Sequence, residues 1–266
     1  MLVVCLAQSD LPKWEVFLWE KGGENMRERN VVGLDVDSTA VDKEGLNWLA
    51  DRKGVGNQVK KLTEDSMNGR IPVEQVMPLK MDIISPSRSD IAALSQEYLA
   101  HVSPDLVQVV QELKRAGKHV VIITGNFHEA IDPLAESLGL DPEHDVFANN
   151  LLFDANGDYA GFVENYHLMH DDGKQQVVKE LRQQYRHITH VGDSMGDMLA
   201  GADIFIGYGG AAIRSQVLIQ SELYIPGPSL APVLSVELSR RQLRHIPDQS
   251  LRERAQSGLL VRRGVH

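Results

Sequence analysis

Asp35 and Asp37 stand one residue apart, directly after Val31-Val32-Gly33-Leu34, and this pair is where chemistry enters the sequence. Val31 to Leu34 is short and β-branched, so it reads as a buried strand that ends in two carboxylates. In α/β proteins the carboxyl edge of the sheet is where ligands bind. Packing charges there costs free energy unless a metal or hydrogen bonds compensate. Alone, Asp-x-Asp also fits a solvated strand end with an Asx turn. Three further segments weigh against that bland reading. Ile122-Ile123-Thr124-Gly125-Asn126 puts a hydroxyl and a flexible turn just past a strand, and Gly173-Lys174 opens a helix with a cation. Val191-Gly192-Asp193-Ser194-Met195-Gly196-Asp197 closes another strand with a second acidic pair. Four carboxylates at one sheet edge repel each other, so Mg²⁺ and Lys174 are the natural compensators. A hydroxyl, backbone amides and a lysine beside an acid-bound Mg²⁺ make a phosphate site. Each piece by itself also has a plain reading, with Thr124-Gly125 a simple turn and Lys174 a surface helix residue.

The elements that must position these groups can be read in order. A strand is expected at His119 to Thr124, led by a helix that Ser103 caps, Pro104 begins and Gly117 ends. A hairpin follows, in which Phe147 to Phe153 and Tyr159 to Val163 flank a turn at Asn156-Gly157. Then come a helix from about Gly173 to Tyr185 and strands at His187 to Val191 and Asp203 to Ile206. Strands alternating with helices imply an α/β fold, a doubly wound, parallel, Rossmann-like sheet.

Between the first strand and Ser103 lie far more residues than a βα connection needs. They carry helical stripes, Val55, Val59 and Leu62 on one face and Ile91, Leu94, Tyr98 and Leu99 on another. This predicts a small helical cap domain, residues 41–102, inserted over the carboxyl edge of the sheet as a lid. Residues 31–40 with 103–230 form the core. Residues 1–30 read as an extension and 231–266 as a C-terminal helix and basic tail.

Composition narrows the classes. The chain has 266 residues, 42% hydrophobic and 24% charged, enough for one large domain and a small one. No apolar stretch suits a transmembrane helix, and Met1 to Ala7 is a poor signal peptide because it lacks a basic lead. The single cysteine, Cys5, excludes an intrachain disulfide and suits a reducing cytoplasm. A net charge of -10 argues against general nucleic-acid binding, although residues 240–266 hold seven arginines. The oligomeric state is not legible. Gly207-x-Gly209-Gly210 lacks the strand–turn–helix setting of a dinucleotide site, and His167 with His170 fits surface histidines better than a metal site.

The ordered motifs resemble the haloacid dehalogenase superfamily, with Asp35-Val36-Asp37-Ser38-Thr39 as the first motif, Thr124 the second, Lys174 the third, and Gly192-Asp193 with Asp197 the fourth. Within it, the chain resembles the phosphoserine phosphatase family. The stretches that carry this are Glu44-Gly45, Met67-Asn68-Gly69, Ser85-Pro86-Ser87-Arg88, Leu138-Gly139-Leu140, Phe147-Ala148-Asn149, Gly207-Tyr208-Gly209-Gly210 and Ile213-Arg214. There are departures. Lys80 stands where that family places an arginine for the substrate carboxylate, and a point charge replaces a planar fork. Lys80 falls on the stripe of Val73, Val76, Met77 and Ile84, so it either points to the lid's inner side or snorkels. Pro78 should kink that helix. Val73 replaces a usual phenylalanine, Asn126 a glycine, Gly196 an asparagine and Thr124 a serine.

The resemblance implies Mg²⁺-dependent hydrolysis of a phosphomonoester through an aspartyl-phosphate, with phosphoserine the leading substrate. Asp35 would be the nucleophile and Asp37 the acid and base. Asp35, the backbone carbonyl of Asp37, and Asp193 would hold the metal. Thr124, Gly125 and Lys174 would meet the phosphate, Asp197 would orient Lys174, and Glu44, Met67 and Lys80 would meet the rest of the substrate. The rival readings are a phosphatase or phosphotransferase for another small phosphorylated metabolite, such as phosphohomoserine, and an inactive phosphate-binding protein.

Overall fold

The computed structural model describes residues 4–5, 30–67, 71–163 and 167–262. Its strands, in chain order, are β1 (Val4–Cys5), β2 (Asn30–Leu34), β3 (His119–Phe127), β4 (Val146–Asn149), β5 (Leu151–Phe153), β6 (Tyr159–Phe162), β7 (His187–Gly192), β8 (Ile204–Tyr208), β9 (Leu223–Ile225) and β10 (Leu260–Val261). Eight of them form one sheet in the order β1-β10-β9-β8-β7-β2-β3-β4. The six strands from β9 to β4 are mutually parallel, and the two pairings at the β1 edge, β10 with β9 and β1 with β10, are antiparallel. The chain runs outward from β2 to β3 and β4, then returns to the other side of β2 as β7. The switch of direction therefore lies at β2, the strand that ends in Asp35, where such sheets open a crevice. Val31, Val32 and Leu34 are buried on both faces, as a central parallel strand requires.

Two strand expectations needed adjustment. β3 continues to Phe127, and its register against β4 shifts between Ile123 and Phe127. That irregularity releases Thr124, Gly125 and Asn126 from regular pairing, as bulges beside functional sites do. The expected strand Phe147 to Phe153 is two strands, broken at Asn150. Its first half joins the main sheet, and its second half pairs with β6 in a separate hairpin. The Asn156-Gly157 turn is there, with Gly157 at φ +84° and Asp154 accepting from the amides of Asn156 and Asp158.

Helices α1 (Gly45–Arg52), α2 (Gly56–Met67), α3 (Val73–Ile84) and α4 (Arg88–Ala100) lie between β2 and β3. Their buried faces hold Leu49, Val59, Val76, Met81, Ile84, Ile91, Leu94 and Tyr98. Pro78 sits inside α3 without ending it. A capping box of Ser87 and Asp90 starts α4. Val41 pairs with Val102 as the chain leaves and re-enters the sheet region. Ser103 does not cap the next helix, which begins at Leu106. Its hydroxyl instead donates to the carbonyl of Thr39 at 2.6 Å, closing the same neck.

After β9 the chain forms three short helices, not one: Val233–Glu237, Arg240–Arg244 and Gln249–Ala255. Pro232 precedes the first, Ser239 and Asp248 cap the second and third, and Pro247 separates those two. Most of the expected 1–30 extension, and the last four residues of the tail, fall outside the described residues. Among the described residues no helix is long and apolar enough to cross a membrane.

Candidate active site

At the end of β2 the Asp35 amide still donates to Val191 of β7 at 3.0 Å, so the nucleophile candidate is fastened to the sheet. The chain then turns tightly. Ser38 adopts a left-handed φ of 57°, a conformation costly for a residue with a side chain and met mainly where surrounding contacts hold it. Here they do. Its amide donates to Lys43 at 2.9 Å, and its hydroxyl donates to Glu44 Oε1 at 2.7 Å.

Asp35 itself is buried and receives Lys174 Nζ at 2.6 Å. Lys174 opens the helix Gly173–Leu181 and also bonds Asp197. Asp197 is fully buried and further held by Ser194, in a capping box, and by His190 Nε2 at 2.8 Å. Glycine makes this space: a Cβ on Gly192 would stand 2.2 Å from Asp197 Cγ. Burial raises the Asp35 carboxyl well above its ordinary range, and the neighbouring Asp197 and Asp193 add to that against the opposing Lys174. Burial would raise Asp197 too, but Lys174 and the His190 hydrogen bond outweigh it and hold it low. Burial would lower the Lys174 ammonium, but the two carboxylates outweigh it and keep it charged.

Asp37 turns away from this group. Its Oδ1 accepts from the Gly45 amide at 3.1 Å and from Tyr98 Oη at 2.6 Å, and its Oδ2 from Asn126 Nδ2 at 3.3 Å. Burial, with Glu44 nearby, pushes it up to about 6, while the three hydrogen bonds pull the other way. That value suits a group that must give and take a proton near neutrality.

Oxygens of Asp35, Asp193 and Asp197 lie within 4.8 Å of one another, a hard-oxygen set able to hold a divalent cation. Asp193 is buried, and burial pushes it up to about 6 despite Arg214 beside it. An uncompensated excess of buried carboxylate is what a cation would relieve. The close trio contains Asp197 where the sequence reading put Asp37. The Asp37 carboxylate is engaged elsewhere, and the family resemblance assigned it a backbone carbonyl ligand. Asp197 is already committed to Lys174, His190 and Ser194, so Asp35 and Asp193 are the carboxylates freer to bind.

Thr124 is buried, its Oγ1 accepting from the Asn126 amide at 3.2 Å, and the Gly125 carbonyl is tied to Asn149 at 2.8 Å. Just before α1, Glu44 Oε1 receives Arg214 Nη2 at 2.6 Å, while Arg214 Nε reaches Asp193 Oδ2 at 2.5 Å. Lys80 on α3 is half-buried. Burial lowers its ammonium and the charge of Glu44 opposes, so it lies within electrostatic reach of the site. The side chain of Met67 lies outside the described residues. Sequence reading missed three contributors: His190, Tyr98 as a polar group, and Arg214 as a bridge between Glu44 and Asp193. The only signals were an unexplained polar residue in a strand and an arginine after a glycine turn.

A family profile for haloacid dehalogenase-like hydrolases matches residues 30–204. The phosphoserine phosphatase of Bos taurus is 36% identical over 200 residues, 74% of this chain and 88% of the bovine one. The human phosphoserine phosphatase matches to the same extent. In fold, the chain is similar to the crystal structure of a phosphoserine phosphohydrolase-like protein from Francisella tularensis, with a TM-score of 0.69 at 22% identity over 79% of this chain and all of that one. The profile and the bovine and human matches, each covering well over half of the chain, place it in the haloacid dehalogenase-like hydrolase family.

Proposed function

We propose that this chain is a Mg²⁺-dependent phosphoserine phosphatase acting through an aspartyl-phosphate, at a serine-forming step in the cytoplasm. The observation that carries the reading is the division of labour between two acids one residue apart. Asp35 is paired with a permanent cation, Lys174, and Asp37 is held apart among neutral donors with its pKa near 6. The relatives of like length, 36% identical, support the substrate.

In this reading an Asp35 oxygen attacks phosphorus as the bond from phosphorus to the ester oxygen breaks, and Asp37 gives that oxygen its proton. Water then attacks the phosphorus, Asp37 recovers a proton from it, and Asp35 is released with inorganic phosphate. Lys174 and the Thr124 hydroxyl face the transferring oxygens and offset their charge. Asp197 holds Lys174. Glu44 meets the substrate amino group, and Lys80 the carboxylate. Asp35 and Asp193, with the Asp37 carbonyl, would hold Mg²⁺, which when bound supplies Lewis-acid neutralisation of the phosphoryl charge. Residues 41–102 serve as the cap that shields these steps from bulk water.

The test is phosphate release from phosphoserine, phosphothreonine and phosphohomoserine, with Mg²⁺ and with excess EDTA. Adding short alcohols would reveal transfer to another acceptor as a new phosphate ester. Hydrolysis that prefers phosphoserine and stops in EDTA is expected. A tenfold preference for another ester would overturn the substrate while sparing the chemistry.

A further inference from the structure

We propose that Tyr98 and Asn126 are positioning residues that clamp the Asp37 carboxyl so that its proton meets a poor, alkoxide leaving group. This rests on the phosphatase reading above. Tyr98 comes from α4 in the inserted helices and is completely buried, yet its hydroxyl is not spent on the helix. It reaches across 61 residues of sequence to Asp37 Oδ1 at 2.6 Å. Asn126 comes from the irregular end of β3, opposite. Its Oδ1 accepts from the Phe127 amide at 2.9 Å, which settles the amide's orientation and turns Nδ2 toward the acid. The two Nδ2 hydrogens then have two takers, Tyr98 Oη at 2.5 Å and Asp37 Oδ2 at 3.3 Å. Both Nδ2 hydrogens and the Oδ1 of Asn126 are engaged, which is expensive to arrange in a buried place and fixes the side chain's geometry.

The room for this arrangement is kept by a glycine. A Cβ on Gly45 would fall 1.8 Å from Tyr98 Oη and 2.8 Å from Asn126 Nδ2. The Gly45 amide meanwhile supplies the second donor to Asp37 Oδ1. Counting by atom, Oδ1 receives two hydrogen bonds and Oδ2 one. Oδ2 is therefore the oxygen with a lone pair left to carry the transferable proton. The clamp draws on both sides of the cleft, α1 and α4 from the inserted helices and β3 from the sheet. The acid is aligned only while the two are together.

The chemistry supplies a readout that a merely structural role would not move. A serine alkoxide leaves badly unless it is protonated as the bond breaks, whereas nitrophenolate leaves readily without a proton. Since kcat/KM reports steps only up to formation of the aspartyl-phosphate, the later use of Asp37 as base does not enter it. The experiment measures kcat/KM for phosphoserine and for p-nitrophenyl phosphate, with Mg²⁺, in the wild type, Tyr98→Phe, Asn126→Ala and the double variant, and inhibition by serine in each. Tyr98→Phe removes one oxygen from a filled site. Phosphoserine should lose about tenfold or more in each single variant while the aryl ester changes by no more than about twofold, with serine inhibition unchanged. The double variant should lose less than the product of the two, because both residues hold one carboxyl. Equal losses on both esters, no loss on either, or a loss that tracks weakened serine inhibition would each overturn the proposal. A wild type that hydrolyses neither ester would instead sink the phosphatase reading, and this inference with it.

Discussion

His190 Nε2 lies 2.8 Å from Asp197 Oδ1, and neither side chain has any exposed surface. The imidazole fits because Gly33, directly beside it in register, has no side chain: a Cβ there would stand 2.9 Å from His190 Nδ1. Asp197 in turn holds Lys174 against Asp35. Gly33, two residues before Asp35, thus makes room for the second carboxylate's support.

Gly33→Ala should push the imidazole off Asp197 and loosen Lys174. A misplacement of about 1 Å in such a group costs up to about 10²-fold, so kcat for phosphoserine should fall by about tenfold or more with KM little changed. His190→Gln, which keeps a donor, should retain more activity than His190→Leu. Steady-state kinetics on the three variants checks this, and equal activity for the Gln and Leu variants would refute the support role.

Asp35→Asn should abolish turnover with the fold intact by circular dichroism. Asp37→Asn should lose roughly 10²–10⁴-fold, the usual reach of general acid–base catalysis. Substantial turnover by Asp35→Asn, read as phosphate release, would eliminate the covalent mechanism.

The acidic cluster makes stability depend on pH and metal together. Asp35 is raised well above its ordinary value, and Asp37 and Asp193 to about 6. Between about pH 4 and 6 the metal-free folded protein therefore binds more protons at these groups than the unfolded chain does, and their contribution to stability falls as pH rises. Asp197, held low, contributes in the opposite sense, and its share is lost only under acid. Mg²⁺ binds ionised carboxylates, so the rise in Tm that it produces should grow from pH 5 to pH 8. Differential scanning fluorimetry with EDTA and with Mg²⁺ tests it; a Mg²⁺ shift independent of pH would count against a cation at this cluster.

Lys80→Arg restores a planar fork beside Glu44. A fork-to-point-charge change forfeits about one charge-assisted hydrogen bond, about 1.5–3 kcal/mol, so kcat/KM for phosphoserine should rise by about tenfold or more. No gain, or a loss, would show that Lys80 does not address the substrate carboxylate.

The sheet was legible because the apolar runs at Val31–Leu34 and Val120–Ile123 leave few alternatives to buried parallel strands, and the β-branched Ile188, Thr189 and Val191 favour a third. The candidate chemistry was legible wherever a chemical type coincided with an element's end, as at Asp35, Lys174 and Asp193. What escaped was contact between residues with no shared period. Tyr98 sits on a regular apolar stripe, and nothing local says that its hydroxyl meets an acid 61 residues earlier. His190 reads as an odd polar residue inside a strand until Gly33 and Asp197 are seen on either side of it. The break at Asn150 had a local signal in Asn149-Asn150, two strand-poor residues between apolar runs, but only pairing decides which half joins which sheet.

The neck at Val41 and Val102, tightened by the Ser103 hydroxyl, has a mechanical meaning. Two adjacent chain crossings leave one axis, the line joining them, about which the inserted helices could swing. The hairpin β5–β6 works against that swing, because the Gly157 carbonyl accepts from the Arg88 amide at 2.8 Å and the Arg88 guanidinium lies 4.6 Å over the Phe153 ring. The helices are thus moored at a pivot and at a far jetty. Between the two, α4 also packs along the helix His128–Ser137, so any wide swing must slip that flank and the hairpin or carry both with it.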